Sequence, residues 1–351
     1  MSALSEPGRP VSRMRFSLLI RAHYPPGDDL RRRVDELFEQ VRLAEQLGFH
    51  AIFKGSHFSA GPAQDIPLLP FLVRAAAETS RIRIGAGIVL LPLHNPLQVA
   101  EEFAALDVLA GGRLIFGVGL GYRDVEFKAF GTSAAEGGAR LEENLAAVLR
   151  LWSEEKVTLR GSHFSLEDAC CPLKPLQKPR PPLWMGANGD PGVRRAARLA
   201  DTWFINPHAR LSTLKRQIDL YRQTLDELGK PWPDDRPIMR EIYVARTRAA
   251  ASAAARPLLE AKYRTYQDWG QAKAMPKEDS DLGMDFEALA ADRFFIGAPD
   301  DVANQIADAS RALGVNHFVF GQKPGATHAA AMDEMHLLAE DVIPRTLEKL
   351  A

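Results

Sequence analysis

Cysteine is nearly absent from this 351-residue chain: Cys170 and Cys171 are the only two, and they are adjacent. Neighbouring cysteines rarely bridge each other and supply no zinc spacing, so neither a disulfide framework nor a metal site is expected. A long apolar run is also missing. The best candidate, Ile84 to Leu93, is interrupted by Gly85, Gly87 and Pro92 and falls short of the ~18 residues a membrane helix needs. Nor is there an excess of either charge, since 44 Lys+Arg face 45 Asp+Glu. That balance gives no electrostatic reason to expect a nucleic-acid or anionic-membrane partner. Residues 1–14 are polar and proline-rich with no apolar core, so they read as a disordered or extended lead-in rather than a secretory signal. A cytoplasmic location is expected. What remains is ordinary for a globular enzyme, with 46% hydrophobic and 25% charged residues.

Along the chain, short β-prone runs alternate with amphipathic helical stretches. Strands are expected at Phe16–Ile20, Ala51–Lys54, Ile82–Ile88, Leu114–Gly119, Pro182–Gly186, Thr202–Ile205, Pro237–Arg246 and His317–Phe320. Leu30, Val34, Leu37, Val41, Ala44 and Leu47 recur at helical spacing between the first two, with Asp28 or Asp29 as cap and Gly48 as stop. Val157 to Leu166 reads as a hairpin excursion before a proline-rich connector. Eight strands alternating with helices is the count of a closed (β/α)8 TIM barrel, here one domain over 15–351. An open doubly wound sheet usually carries a glycine-rich fingerprint after its first strand. The turn here reads Arg21-Ala22-His23-Tyr24-Pro25-Pro26, which favours the barrel.

Barrels carry function at the C-terminal strand ends. Those ends hold Arg21 and His23, Gly55-Ser56-His57-Phe58, His94-Asn95, Gly119-Leu120-Gly121-Tyr122-Arg123, Gly186-Ala187-Asn188-Gly189, Asn206-Pro207-His208 and Gly321-Gln322. Glycine, asparagine and histidine gathered at one mouth suit close backbone approach to a large, flat, hydrogen-bonding ligand. They do not suit a metal, which needs several Asp, Glu and His converging.

The runs Leu91-Pro-Leu-His-Asn-Pro-Leu-Gln-Val-Ala-Glu101, Leu106-Asp-Val-Leu-Ala-Gly-Gly-Arg-Leu-Ile-Phe-Gly-Val-Gly-Leu-Gly-Tyr-Arg123 and Glu126-Phe-Lys-Ala-Phe-Gly131 resemble the bacterial luciferase-like flavin-dependent monooxygenases. Gly55-Ser-His-Phe58, Ala196 to Trp203 and Gly297-Ala-Pro-Asp300 extend the resemblance over about residues 15 to 345. It implies a barrel with reduced flavin lying across its mouth. Reduced FMN would come from a separate NAD(P)H flavin reductase, and dioxygen and a small organic molecule would be the substrates. A sister branch uses the deazaflavin coenzyme F-420 for hydride transfer without oxygen, and some relatives bind flavin without turnover. A homodimer or homotetramer is expected.

Carried onto this chain, the resemblance makes His57 and Asn95 candidate catalytic residues. His57 would stabilise or protonate oxygen, which an imidazole does well near neutral pH. Ser56 departs from the histidine of luciferases and the aspartate common in deazaflavin enzymes. Asn95 aligns with a residue near the flavin ring, although Asn before Pro96 also makes a good helix N-cap. Gly87-Ile88 matches a place where the family often has a non-prolyl cis peptide beneath the flavin. Gly119, Gly121, Tyr122 and Arg123 are candidates for the ribityl and phosphate groups. The helix start at Gly186, Ala187, Asn188 and Gly189 is a second phosphate candidate, because free N–H groups there favour anions. Residues 262–293 are the expected lid, with Tyr263, Tyr266 and Trp269 over an apolar pocket that shows no charge signature.

Overall fold

The computed structural model describes residues 14–61, 63–323 and 327–351; the lead-in, apart from Met14, lies outside them. Eight parallel strands form the wall: β1 (Arg15–Leu19), β2 (Ala51–Lys54), β3 (Arg83–Ala86), β4 (Leu114–Gly119), β5 (Leu183–Ala187), β6 (Thr202–Ile205), β7 (Pro237–Val244) and β8 (His317–Gly321). They pair in the order β5-β6-β7-β8-β1-β2-β3-β4, and β4 pairs back onto β5 to close the barrel. Strands buried on both faces need continuous apolar character rather than alternation. Leu-Ile-Phe-Gly-Val-Gly in β4, with all six residues buried, meets that need.

The outer layer holds α1 (Leu30–Gln46), α2 (Leu68–Glu78), α3 (Pro96–Leu109), α4 (Asp124–Ala129), α5 (Gly137–Ser153), α6 (Asp190–Leu199), α7 (Leu211–Glu227), α8 (Arg248–Asp268), α9 (Phe286–Ala290), α10 (Pro299–Leu313), α11 (His328–Leu337) and α12 (Ile343–Leu350). Asp29 caps α1 by accepting from Arg32 N. The expected hairpin is present as Val157–Arg160 against Ser165–Ala169. Four short strands escaped the sequence reading: His23–Tyr24 pairs antiparallel with Gln64–Asp65, Val89–Leu90 pairs in parallel with β4, and Phe295–Gly297 pairs in parallel with the far part of β7. Among the described residues no helix is long and apolar enough to cross a membrane.

Inside the barrel, Phe53, Trp184 and Phe204 form an aromatic layer, with Phe53 stacked on Trp184 at 5.1 Å and Trp184 edge-on to Phe204 at 5.2 Å. Leu19, Ile115, Met239 and Val319 complete it. Beneath, at the N-terminal strand ends, the nitrogens of His317 bond Ser17 Oγ at 2.7 Å and Asp235 Oδ1 at 2.8 Å. His50 approaches the same pair. With both ring nitrogens of His317 engaged, this cluster acts as a hydrogen-bonded plug. The open chemistry is at the other end.

Candidate active site

A cavity of about 880 Å³ occupies the C-terminal mouth, a size that suits a cofactor and a small substrate. Leu19, Ile88, Phe204 and Met239 rise from the aromatic layer to make its apolar floor. The Gly87–Ile88 peptide is cis, and both residues line the cavity. Gly119 does not line it. It lies against Ile88, where a Cβ would stand 1.9 Å from Ile88 Cδ1. Gly121 has φ +78°, a left-handed turn that L side chains avoid, and the chain leaves it with Tyr122 on the wall. The Tyr122 hydroxyl is buried without a partner among the described residues, and burial pushes its pKa up.

His57 also lines the cavity. Its Nδ1 is 3.1 Å from Glu126 Oε1, and Tyr122 and Trp269 present their rings to it at 5.9 and 5.3 Å. The same carboxylate oxygen accepts from Phe58 N at 2.9 Å and Arg123 Nη1 at 3.2 Å. Glu126, 1% exposed, therefore fixes the imidazole as the orienting acid does in acid–base pairs. No described residue bonds Nε2.

Three expectations need correction. Arg123 is not free for a phosphate. It donates to Phe58 O at 2.6 Å and Ser59 O at 3.0 Å as well as to Glu126, and it lies 4.0 Å from the Trp269 ring centroid. Its two terminal nitrogens are spent on holding the loop after β2 beneath the lid. Asn95 is exposed and caps α3, accepting from Leu97 N at 2.9 Å; it does not line the cavity. Tyr263 is buried in a separate cluster with Tyr243, Leu259 and Phe294, turned away from the cavity that Tyr266 and Trp269 do line.

The cover itself begins earlier than residue 262. Leu258, Ala261, Lys262, Thr265 and Tyr266 face the cavity from α8, followed by its C-cap Trp269 and by Gln271 and Ala274. That spacing of three and four is one helical face. Residues 275–293 turn aside, anchored by buried Asp279, which takes Arg210 at 2.8 Å and Arg293 at 3.2 Å.

Gly186, Ala187, Asn188 and Gly189 lie on the wall, with Gly192 and Arg195 of α6 beside them. Asp190, an apparent rival to an anion at this helix start, points to Arg216 at 2.7 Å and Gln217 at 3.1 Å. Asp190 thus caps no N–H of α6, and its charge is paired with Arg216. Arg195 pairs with Glu142 at 2.8 Å and closes on Gly138, where a Cβ would meet Nη2 at 2.8 Å.

The wall is not uncharged. Lys54, fully buried, pairs with Asp65 at 2.8 Å; burial pushes the ammonium down and the carboxyl up, and their mutual attraction opposes both shifts. Arg21 Nη2 is 3.2 Å from Glu241 Oε1, which also takes Lys262 Nζ. Burial drives Glu241 up, but Lys262 and Arg21 outweigh it and hold the carboxyl low. His23 and His208 are held neutral, pushed down to about 2 and about 3 by burial and neighbouring cations. Arg21, His23 and His208 were visible at strand ends. Lys54, Asp65, Glu241 and Lys262 were missed, although a lysine or glutamate inside an otherwise buried strand is itself a signal.

An apolar floor, a glycine-lined rim, a helix start with uncapped N–H groups and an orphaned tyrosine hydroxyl fit a flat heterocycle with a polyol-phosphate tail. Fold and site together define a barrel oxidoreductase built around such a cofactor. Residues 14–317 match the luciferase-like monooxygenase family, and the chain belongs to it. It is an enzyme of the luciferase-like flavin- or F420-dependent oxidoreductases.

The oxygenase component of the flavin-dependent trigonelline monooxygenase of Acinetobacter baylyi is 24% identical, covering 94% of this chain and 95% of that protein. The F420-dependent glucose-6-phosphate dehydrogenase of Beutenbergia cavernae is 30% identical over 88% and 93%. An uncharacterized protein, y4vJ of Sinorhizobium fredii, is 35% identical over 56% of this chain and only 57% of its own length. Monooxygenase RslO1 from Streptomyces bottropensis has the same fold, with a TM-score of 0.78 at 24% identity over 94% and 99% of the two chains.

Proposed function

We propose that this enzyme is an FMNH2- and dioxygen-dependent monooxygenase of a small organic substrate, supplied with reduced flavin by a separate reductase. The observation that carries the reading is His57, clamped by Glu126 at the edge of a chamber with an apolar floor and roofed by Tyr122 and Trp269. Reduced FMN, when bound, supplies the two electrons that dioxygen needs.

The chain's own residues do the rest. Ile88, Met185 and Met239 would face the ring system, and the α6 start with Arg195 would hold the phosphate. With Nδ1 tied to Glu126, His57 keeps Nε2 for a proton to be given or taken at the reacting oxygen. Tyr266, Trp269 and the α8 face exclude water, which protects reactive intermediates from solvent. The oxygenase-component relative supports a two-protein system.

Hydride transfer with F420 is the second reading, favoured by the F420-dependent relative that aligns over most of both chains. Anaerobic titration with FMN, FMNH2 and the deazaflavin, followed by oxygen-uptake measurement, separates the two. Tighter binding of FMNH2 with oxygen uptake is expected. Preference for the deazaflavin and no uptake with FMNH2 overturns the proposal. His57→Ala should retain flavin binding and lose turnover of a coupled substrate; unchanged turnover removes His57 from the mechanism.

A further inference from the structure

Among the described residues every ionic side chain on the cavity wall is a cation: Arg21, Lys54, Arg195 and Lys262 line it, and no aspartate or glutamate does. The balancing carboxylates stand behind them. Lys54 has Asp65, and Arg195 has Glu142, each at 2.8 Å. Arg21 and Lys262 share one carboxylate, Glu241. Two cations against one anion leave a surplus of a single positive charge. The three side chains are 14%, 5% and 0% exposed, so water does little to screen that surplus.

The surroundings do not cancel it. Arg21 Nε donates to Gln322 O at 2.7 Å, a neutral acceptor. The Tyr266 ring lies 5.3 Å from Lys262 Nζ, and His208 lies edge-on to Tyr266 at 4.8 Å. His208 Nδ1 is buried and has no hydrogen-bond partner among the described residues. His208 also lines the cavity. A buried polar atom without a partner is costly and calls for one.

We infer that Arg21, Lys262 and His208 form a subsite for a single carboxylate group of the organic substrate. One negative charge neutralises the surplus, whereas a phosphate dianion would leave a buried negative charge in its place. The subsite is also remote from the cofactor's phosphate end. Arg195 belongs to the β4–β5 side of the barrel, and β1, whose end carries Arg21, lies across from it in the strand order. The enzyme's substrates are then carboxylic acids, held with the acid group toward β1 and β7 and the reacting carbon toward Ile88 and His57. The assignment rests on the flavin reading only in giving the remaining wall to the cofactor.

The test uses full-length protein, with and without saturating FMN, and fluorine NMR titration of 4-fluorobenzoate, the near-isosteric neutral 4-fluorobenzamide, and 4-fluorophenyl phosphate. The acid should bind at least about tenfold more tightly than the amide, as expected when an ionised acceptor meets charged donors. Lys262→Met should abolish that preference. It leaves Arg21 and Glu241 paired one to one, so the fold has no new unpaired charge. Glu241→Gln, which raises the surplus to two, should shift preference toward the phosphate. Equal binding of acid and amide, no binding of the acid up to its solubility limit, a wild-type preference for the phosphate, or an acid preference unchanged in Lys262→Met overturns the inference. FMN binding, read in the same samples by fluorescence quenching, reports separately on the cofactor.

Discussion

Gly119 and Ile88 offer a measurement of how tightly the cavity floor is built. A Cβ at position 119 would lie 1.9 Å from Ile88 Cδ1, 3.3 Å from Cγ1 and 3.5 Å from Gly186 O. Comfortable carbon–carbon contact is roughly 3.5–4.0 Å, so the overlap is about 1.6 Å or more. Ile88 lines the cavity, so it can yield only by turning Cδ1 off the floor and into the ligand space. Gly119→Ala should therefore cost about 1–3 kcal/mol, the usual range for overpacking. Ile88→Val alone should cost about 0.5–1.5 kcal/mol. Valine lacks Cδ1, the clashing atom, so the double variant should cost little more than Ile88→Val by itself. Urea unfolding of the four proteins, with midpoints compared at constant m, closes the cycle. Costs that simply add, within about 0.5 kcal/mol, would refute the claim that glycine at 119 exists for Ile88.

Two further outcomes concern stability. Glu45 on α1 accepts backbone N–H groups of Ser80, Arg81 and Ile82 on one oxygen at 2.9, 2.6 and 3.0 Å. Burial raises its pKa, but these bonds outweigh it and bring the carboxyl down to about 2. Glu45→Gln should cost about 2 kcal/mol near neutral pH, and thermal melts should show the gap to wild type closing as pH falls from about 4.5 toward 2. His50 is held down to about 4 by burial and then by His317, so the native state keeps it neutral while the unfolded chain protonates below about 6.5. Stability is full above that pH and falls as pH drops toward 4, by up to roughly 1.4 kcal/mol per unit from this residue. His50→Asn should flatten that part of the pH–stability curve; an unchanged slope rules the residue out as its source.

The barrel was legible because each strand is a local signal, a short apolar run between helical patterns, repeated eight times. Phe295–Gly297 was not, since three residues carry no periodicity. The lid's start was obscured because Arg248 to Arg256 is mostly alanine, which favours a helix without marking a buried face. Site residues divided along the same line. Asn95 obeyed its local capping signal over its aligned role. Arg123 looked available in the sequence, yet its partners Phe58 and Ser59 lie 65 and 64 residues away, beyond any local pattern. The surplus charge was hidden for the same reason, because Arg21, Glu241 and Lys262 meet only after the barrel closes.

The aromatic layer of Phe53, Trp184 and Phe204 has a consequence for traffic. It blocks the barrel axis, and the Ser17–His317–Asp235 plug seals the end beneath it. Among the described residues, the way into and out of the cavity is therefore the one mouth beside the α8 face. Whatever binds deepest has to arrive before the others and leave after them.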